Sequence, residues 1–229
     1  MPPVRFSDRP MIKLIILDFD GTLGDTRANI VLTMRMTLAK LGYPERDEET
    51  IAATIGVPLE EGFEQMFPGI SPADVALCAS TYREVFEQNR KVLVPGVFPH
   101  VPETLAALKE AGYVLTIASS RSSKSLNEFL RDMGLAPYVS YVLGADTVVH
   151  AKPHPEPVLK TMADLGFTAD ETLVVGDMPV DILMGKGAGA HTCAVTYGNA
   201  SRADLAAAGP DRIIDDFAQM LDFRTTLRP

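Results

Sequence analysis

An apolar run that ends abruptly in two carboxylates constrains this chain more than any other stretch. Residues 12–26 read Ile-Lys-Leu-Ile-Ile-Leu-Asp-Phe-Asp-Gly-Thr-Leu-Gly-Asp-Thr. Ile12, Leu14, Ile15, Ile16 and Leu17 make a strand-length apolar run, as suits a parallel strand buried on both faces. Asp18 and Asp20 follow at once, and Gly21 permits a tight turn that most side chains resist. The carboxyl end of such a strand is where open α/β sheets place their ligands. Neither carboxylate has a basic neighbour nearby in sequence, so their repulsion calls for a cation or a distant lysine. This is an arrangement for binding a metal and attacking something.

The rest of the chain must supply the missing charge, and its bulk properties limit the partners. With 229 residues, 46% apolar and 22% charged, it can bury a sizeable core. A formal charge of −9 argues against a general phosphate-backbone binder, so no nucleic acid is expected. A small anionic substrate stays possible, because a bound divalent cation reverses the sign locally. Cys78 and Cys193 make neither a disulfide framework nor a zinc cluster. No apolar stretch reaches 18 residues and the N-terminus lacks a secretory pattern, so a soluble cytoplasmic protein without membrane contact is expected.

Residues 1–10, with Pro2, Pro3 and Pro10, read as an irregular leader. After the opening strand the pattern is helical for about seventy residues. Ile30, Met34, Leu38 and Leu41 recur at helical spacing up to Gly42, and further helices are predicted over 47–55, 58–67 and 72–91. No strand is predicted between 27 and 92. Beyond Val94-Pro95-Gly96, helices near 99–111, 123–133, from 153–157 to Gly166, and 180–188 alternate with strands at 114–118, 141–143, 173–175 and 192–196. That alternation implies an α/β fold: a Rossmann-like parallel-sheet core sandwiched by helices. The expected division is a catalytic core over 11–25 and 95–229, interrupted by a small all-helical cap over 26–94. Such an insertion would form a lid over the sheet's carboxyl edge.

Four loops deliver polar groups to that edge. They carry Asp18-Phe19-Asp20, then Ser119-Ser120-Arg121, then Lys152-Pro153-His154-Pro155-Glu156-Pro157, and finally Gly176-Asp177-Met178-Pro179-Val180-Asp181. This ordered set, spanning Ile12 to about Leu221, resembles the haloacid dehalogenase superfamily of phosphohydrolases. Within it the chain is most similar to the phosphoglycolate phosphatase group, through Ile55-Gly56-Val57-Pro58-Leu59, the Lys152–Pro157 segment and Val195-Thr196-Tyr197-Gly198.

The resemblance implies a role for each residue. Asp18 would attack phosphorus and become an aspartyl phosphate. Asp20 would protonate the departing oxygen and later deprotonate the hydrolytic water. Mg²⁺ would be held by the Asp18 carboxylate, the Asp20 backbone carbonyl and Asp177, with Asp181 acting through a metal-bound water. Lys152 would neutralise nucleophile and phosphate, and Ser119 would hydrogen-bond a phosphoryl oxygen. Gly21, Gly56, Ser120 and Arg121 complete the expected contacts to a small phosphorylated metabolite. Plainer readings stand beside several of these: a helix cap for Ser119, a first-turn acid for Asp181, a surface position for Arg121 and a helix break for Gly56 and Pro58. His154 among prolines reads as structural or exposed, and Cys193 as core. The glycines of Gly185-Lys186-Gly187-Ala188-Gly189 close a predicted helix rather than open one, and no Ser or Thr follows Lys186, so they read as packing and not as a nucleotide loop.

Departures from relatives within the superfamily narrow the reaction. Asp20 is present where dehalogenases proper lack a second carboxylate. Ile30 and Leu59 stand where sugar phosphomutases usually carry His and Arg, and no lysine lies between Lys40 and Lys91 for a Schiff base. Hydrolysis of a phosphate monoester leads, with phosphoglycolate first by resemblance. Pyrophosphate, sugar or nucleoside monophosphates, a phosphomutase and a non-catalytic binder of phosphorylated ligands are the alternatives. Glu60 and Glu61 would disfavour a highly anionic ligand if both pointed inward, so at least one is expected to face solvent. Oligomeric state is not legible.

Overall fold

The computed structural model describes residues 12–90, 92 and 94–222; the expected leader over 1–10 lies outside them. In chain order the elements are β1 (Leu14–Leu17), β2 (Gly24–Asp25), α1 (Arg27–Leu41), α2 (Glu48–Ala52), α3 (Leu59–Met66) and α4 (Pro72–Asn89). Then come β3 (Gly96–Val97), α5 (Val101–Glu110), β4 (Val114–Ala118), α6 (Ser123–Asp132), β5 (Tyr141–Leu143) and α7 (Glu156–Leu165). The chain continues through β6 (Thr172–Gly176), α8 (Pro179–Gly187), β7 (His191–Val195), α9 (Arg202–Ala208) and β8 (Arg212–Ile214).

Six strands form one parallel sheet in the order β5-β4-β1-β6-β7-β8. Alternation along β1 explains why both faces are apolar. Ile15 and Leu17 join Leu115, Ile117, Leu173 and Val175 in a cluster with Leu105, Leu126 and Phe129 from α5 and α6. Leu14 and Ile16 point the other way, towards Val158 and Met162 of α7 and Met184 of α8. The sheet is thus sandwiched by helices, as the alternating pattern implied. Successive strands are added on one side of β1 as β4 and β5, and then on the other as β6, β7 and β8. The crevice for a ligand opens at that reversal, at the carboxyl end of β1.

The helices between β2 and β3 have an apolar cluster of their own, including Met34, Leu38, Ile51, Phe63, Met66 and Cys78. An unpredicted two-stranded antiparallel ribbon, β2 with β3, joins the points where this segment leaves and returns. Helix starts follow from local chemistry: side-chain oxygens of Asp47, Ser71, Ser122 and Ser201 accept the backbone N–H of the residue three positions on. Each such cap is worth about 1 kcal/mol. The helix expected over 47–55 stops at Ala52, because Thr54 and Ile55 donate to carbonyls three residues back and tighten the chain into a turn. The prolines at 153 and 155 hold off α7 until Glu156. Gly42 takes the left-handed conformation that ends α1, with φ of 72°. Among the described residues no helix is long and apolar enough to cross a membrane.

Candidate active site

Asp18 leaves the end of β1 with its backbone N–H donating to Val175 O at 2.9 Å, so the sheet itself holds it. Phe19, between the two carboxylates, is wholly buried and stacks on Phe129 with centroids 5.7 Å apart. This apolar anchor fixes the turn while its neighbours face the crevice. Gly21 follows with φ of 87°, and a Cβ there would lie 2.1 Å from Asp177 Oδ2. No other residue meets both demands.

Lys152 arrives from 134 positions away. Its Nζ donates to Asp18 Oδ1 and to Asp181 Oδ1, each at 2.6 Å, and all three side chains are almost fully buried. This is the distant lysine that the carboxylate pair required. The Lys152 loop is latched by Glu156, whose carboxylate accepts the backbone N–H groups of Val149 and His150. His154 is exposed, as expected.

Beyond β6, Asp177 is fully buried and accepts from Thr22 Oγ1 at 3.1 Å, Asn199 N at 2.7 Å and Asn199 Nδ2 at 2.9 Å. Tyr197 OH donates to Thr22 O and steadies that partner. Asp181, in the first turn of α8, also accepts the Met178 N–H at 3.1 Å. Carboxylate oxygens of Asp18, Asp177 and Asp181 all lie within 4.8 Å of one another. Three buried carboxylates therefore face one ammonium. Burial raises the Asp18 pKa well above the usual carboxylate value; Lys152 opposes that shift and the neighbouring aspartates add to it. Burial and then Asp181 push Asp177 up to about 7 against its hydrogen bonds. Burial disfavours the Lys152 charge, yet Asp18 and Asp181 outweigh it and raise its pKa. Hard oxygen donors with an unbalanced negative charge suit a metal cation.

Asp20 belongs to a different network. Thr26 Oγ1 donates to its Oδ1 at 2.6 Å, and Arg121 Nε reaches both its oxygens at 2.8 and 2.7 Å. The Arg121 guanidinium lies over the rings of Phe86, from α4, and Phe129, from α6. The residue expected on substrate phosphate is thus, in this structure, the partner of Asp20. Ser119 is buried at the end of β4, where its Oγ accepts the Arg121 N–H at 3.3 Å. Ser120 donates to Gly56 O at 2.7 Å and so joins the core to the loop before α3. Glu61 faces solvent, and Glu60 pairs with Arg83 at 2.6 Å.

Three partners had no signal in the sequence, Thr22, Thr26 and Asn199, while Tyr197 lay in the Val195–Gly198 segment without an assigned role. Each is an ordinary polar residue in a loop or at an element's edge, and only the fold brings it to a carboxylate or its support. Conversely, Gly185 is packing, as predicted: a Cβ there would meet Thr192 Cγ2 at 2.6 Å.

A parallel sheet with buried carboxylates and an ammonium at its switch point defines an α/β protein with an acidic ligand site at the carboxyl end of β1. Residues 15–195 match the model of the haloacid dehalogenase-like hydrolases, and the chain belongs to that family. It is 41% identical over 213 residues to the probable phosphatase IndB of Dickeya dadantii, covering 92% of this chain and 93% of that one. It is 30% identical over 217 residues to a phosphoglycolate phosphatase of Haemophilus influenzae, covering 91% and 96%. A crystal structure of a putative haloacid dehalogenase-like hydrolase from Bacteroides fragilis superposes with a TM-score of 0.85 at 30% identity, over 91% of this chain and 99% of that one.

Proposed function

We propose that this chain is a Mg²⁺-dependent phosphatase that hydrolyses a small phosphate monoester through an aspartyl phosphate on Asp18. The observation that carries the reading is the division of labour between the two carboxylates. Asp18 is gripped by Lys152 beside Asp177 and Asp181, whereas Asp20 stands in a separate network of Thr26 and Arg121.

An Asp18 carboxylate oxygen forms the new bond to phosphorus while the ester oxygen leaves. Asp20 gives that oxygen its proton, then takes one from the water that attacks the aspartyl phosphate. The second step frees phosphate and regenerates Asp18. Lys152 and the Ser119 hydroxyl meet the phosphoryl oxygens, with the Gly21 turn leaving room for Asp177 beside them. The Asp18 and Asp177 carboxylates and the Asp20 carbonyl would hold Mg²⁺, with Asp181 acting through water, and the ion when bound would neutralise charge on the phosphate. The helical segment over 26–94 acts as a cap that excludes bulk water. Ile30 and Leu59 line the cavity beneath it as apolar groups, which favours hydrolysis over a mutase reaction. Both cysteines are free and buried, in keeping with a cytoplasmic setting.

By likeness to its relatives phosphoglycolate is the first ester to test, followed by pyrophosphate. Phosphate release from a broad panel is expected with Mg²⁺, to vanish with EDTA and to return when Mg²⁺ is restored. Turnover indifferent to EDTA would remove the metal from the scheme, and no release from any ester would remove the reading.

Arg121 enters this scheme as a positioning residue for Asp20. Arg121→Gln is expected to lower kcat/KM, which reports only the steps up to transfer onto Asp18, for an alkyl phosphate by about 10²-fold, the low end for general acid catalysis. With 4-nitrophenyl phosphate, whose leaving group needs no proton, the first step should fall far less. Equal losses on both esters would show that Arg121 does not act through Asp20.

A further inference from the structure

A cavity of about 610 Å³ opens between the helical segment and the carboxyl edge of the sheet, beside Asp20, Ser120 and Arg121. The two layers are docked around it: Ser120 donates to Gly56 O, and Phe86 meets Phe129 edge-on with centroids 5.7 Å apart. Its size is therefore that of a chamber with the helices seated on the core. Cavities of a few hundred cubic ångströms enclose ligands of drug size, many times larger than a two-carbon acid.

Chemistry narrows the occupant further. Ile30 and Met34 from α1, Val57 and Leu59 from the loop and start of α3, and Tyr82 and Phe86 from α4 supply apolar walls. Tyr82 and Phe86 lie one helical turn apart and stack on each other, their rings within 8° of parallel. The cations facing the chamber among the described residues are already matched: Arg83 by Glu60 at 2.6 Å, Lys124 by Glu87 at 3.6 Å and Arg121 by Asp20 at 2.7 Å. Asp146 adds a further carboxylate, which is engaged by Ser123. A ligand carboxylate would find no unmatched cation and several like charges.

We infer that the ester hydrolysed carries an uncharged, ring-bearing body of nucleoside size, its ring held among the apolar walls beside Tyr82, so that the substrate class is a nucleoside 5′-monophosphate and not a phosphorylated small carboxylic acid. This rests on the phosphatase reading and names what that site accepts.

The full chain with Mg²⁺ is assayed for kcat/KM on uridine and adenosine 5′-monophosphates, phosphoglycolate, pyrophosphate and 4-nitrophenyl phosphate. At least one nucleotide is expected to exceed phosphoglycolate by about tenfold or more, the discrimination that a well-filled apolar pocket supplies. Val57→Trp, which fills the chamber, and Tyr82→Ala, which strips its wall, are each expected to cut the nucleotide-to-phosphoglycolate ratio by about tenfold. Phosphoglycolate equal to or better than both nucleotides, or a ratio unmoved in both variants, overturns the inference. In that case release from phosphoglycolate or 4-nitrophenyl phosphate leaves the phosphatase reading standing. Silence on every ester overturns both together.

Discussion

Asp18→Asn is expected to abolish phosphate release, by on the order of 10⁴-fold or more in kcat, without lowering the melting temperature of the metal-free protein. The activity loss follows from removing the attacking oxygen, since residues that act as a unit with the nucleophile cannot replace it. The stability result has a separate cause. Asp18 is buried beside Asp177 and Asp181, and its pKa is raised mainly by that burial, so the native state gains little from its charge. Asparagine keeps the shape and the oxygen facing Lys152 while relieving like-charge repulsion. Phosphate assays and calorimetry on the same preparation decide the matter. Retained turnover would remove Asp18 as nucleophile, and a collapse in melting temperature would make the loss uninformative about chemistry and contradict the electrostatic account.

Lys152→Met carries the opposite signature, a large loss of both stability and activity. Lys152 is almost fully buried and is the ammonium that Asp18 and Asp181 share. Removing one partner of a buried ion pair typically costs about 3–5 kcal/mol, because the other charges are left uncompensated. Urea unfolding without metal should show that loss. Adding Asp18→Asn to Lys152→Met should recover part of it, a coupling that a double-mutant cycle measures directly. Additive losses would mean that the ammonium and the carboxylate do not interact as their 2.6 Å separation implies.

How much of this was legible beforehand differs from residue to residue. Leu14–Leu17 announced a doubly buried strand because every position is apolar, and a parallel strand needs that. Asp18, Asp20, Lys152 and Asp177 were legible because each follows a recognisable strand or sits in a proline-spaced loop of a known family pattern. Helix ends were legible to within a few residues. The tight turn after Ala52 and the two-residue strands of the β2–β3 ribbon were not, since their pairing is set by partners far away in the chain. Arg121 shows the limit best. Its place after Ser119-Ser120 marked it as a residue near phosphate, but nothing local said that it would reach Asp20 and lie against Phe86 from the helical segment.

The run from Ile12 to Gly21 therefore determined, by itself, that a strand would be buried and would end in two carboxylates short of positive charge. Periodicity and residue type are local properties, and they survive in a one-dimensional reading. Which carboxylate meets Lys152, which meets Arg121, and how large a chamber lies between the layers were decided only by the tertiary structure. Charge pairing and cavity volume depend on distances between groups far apart in the chain, and folding alone sets those distances.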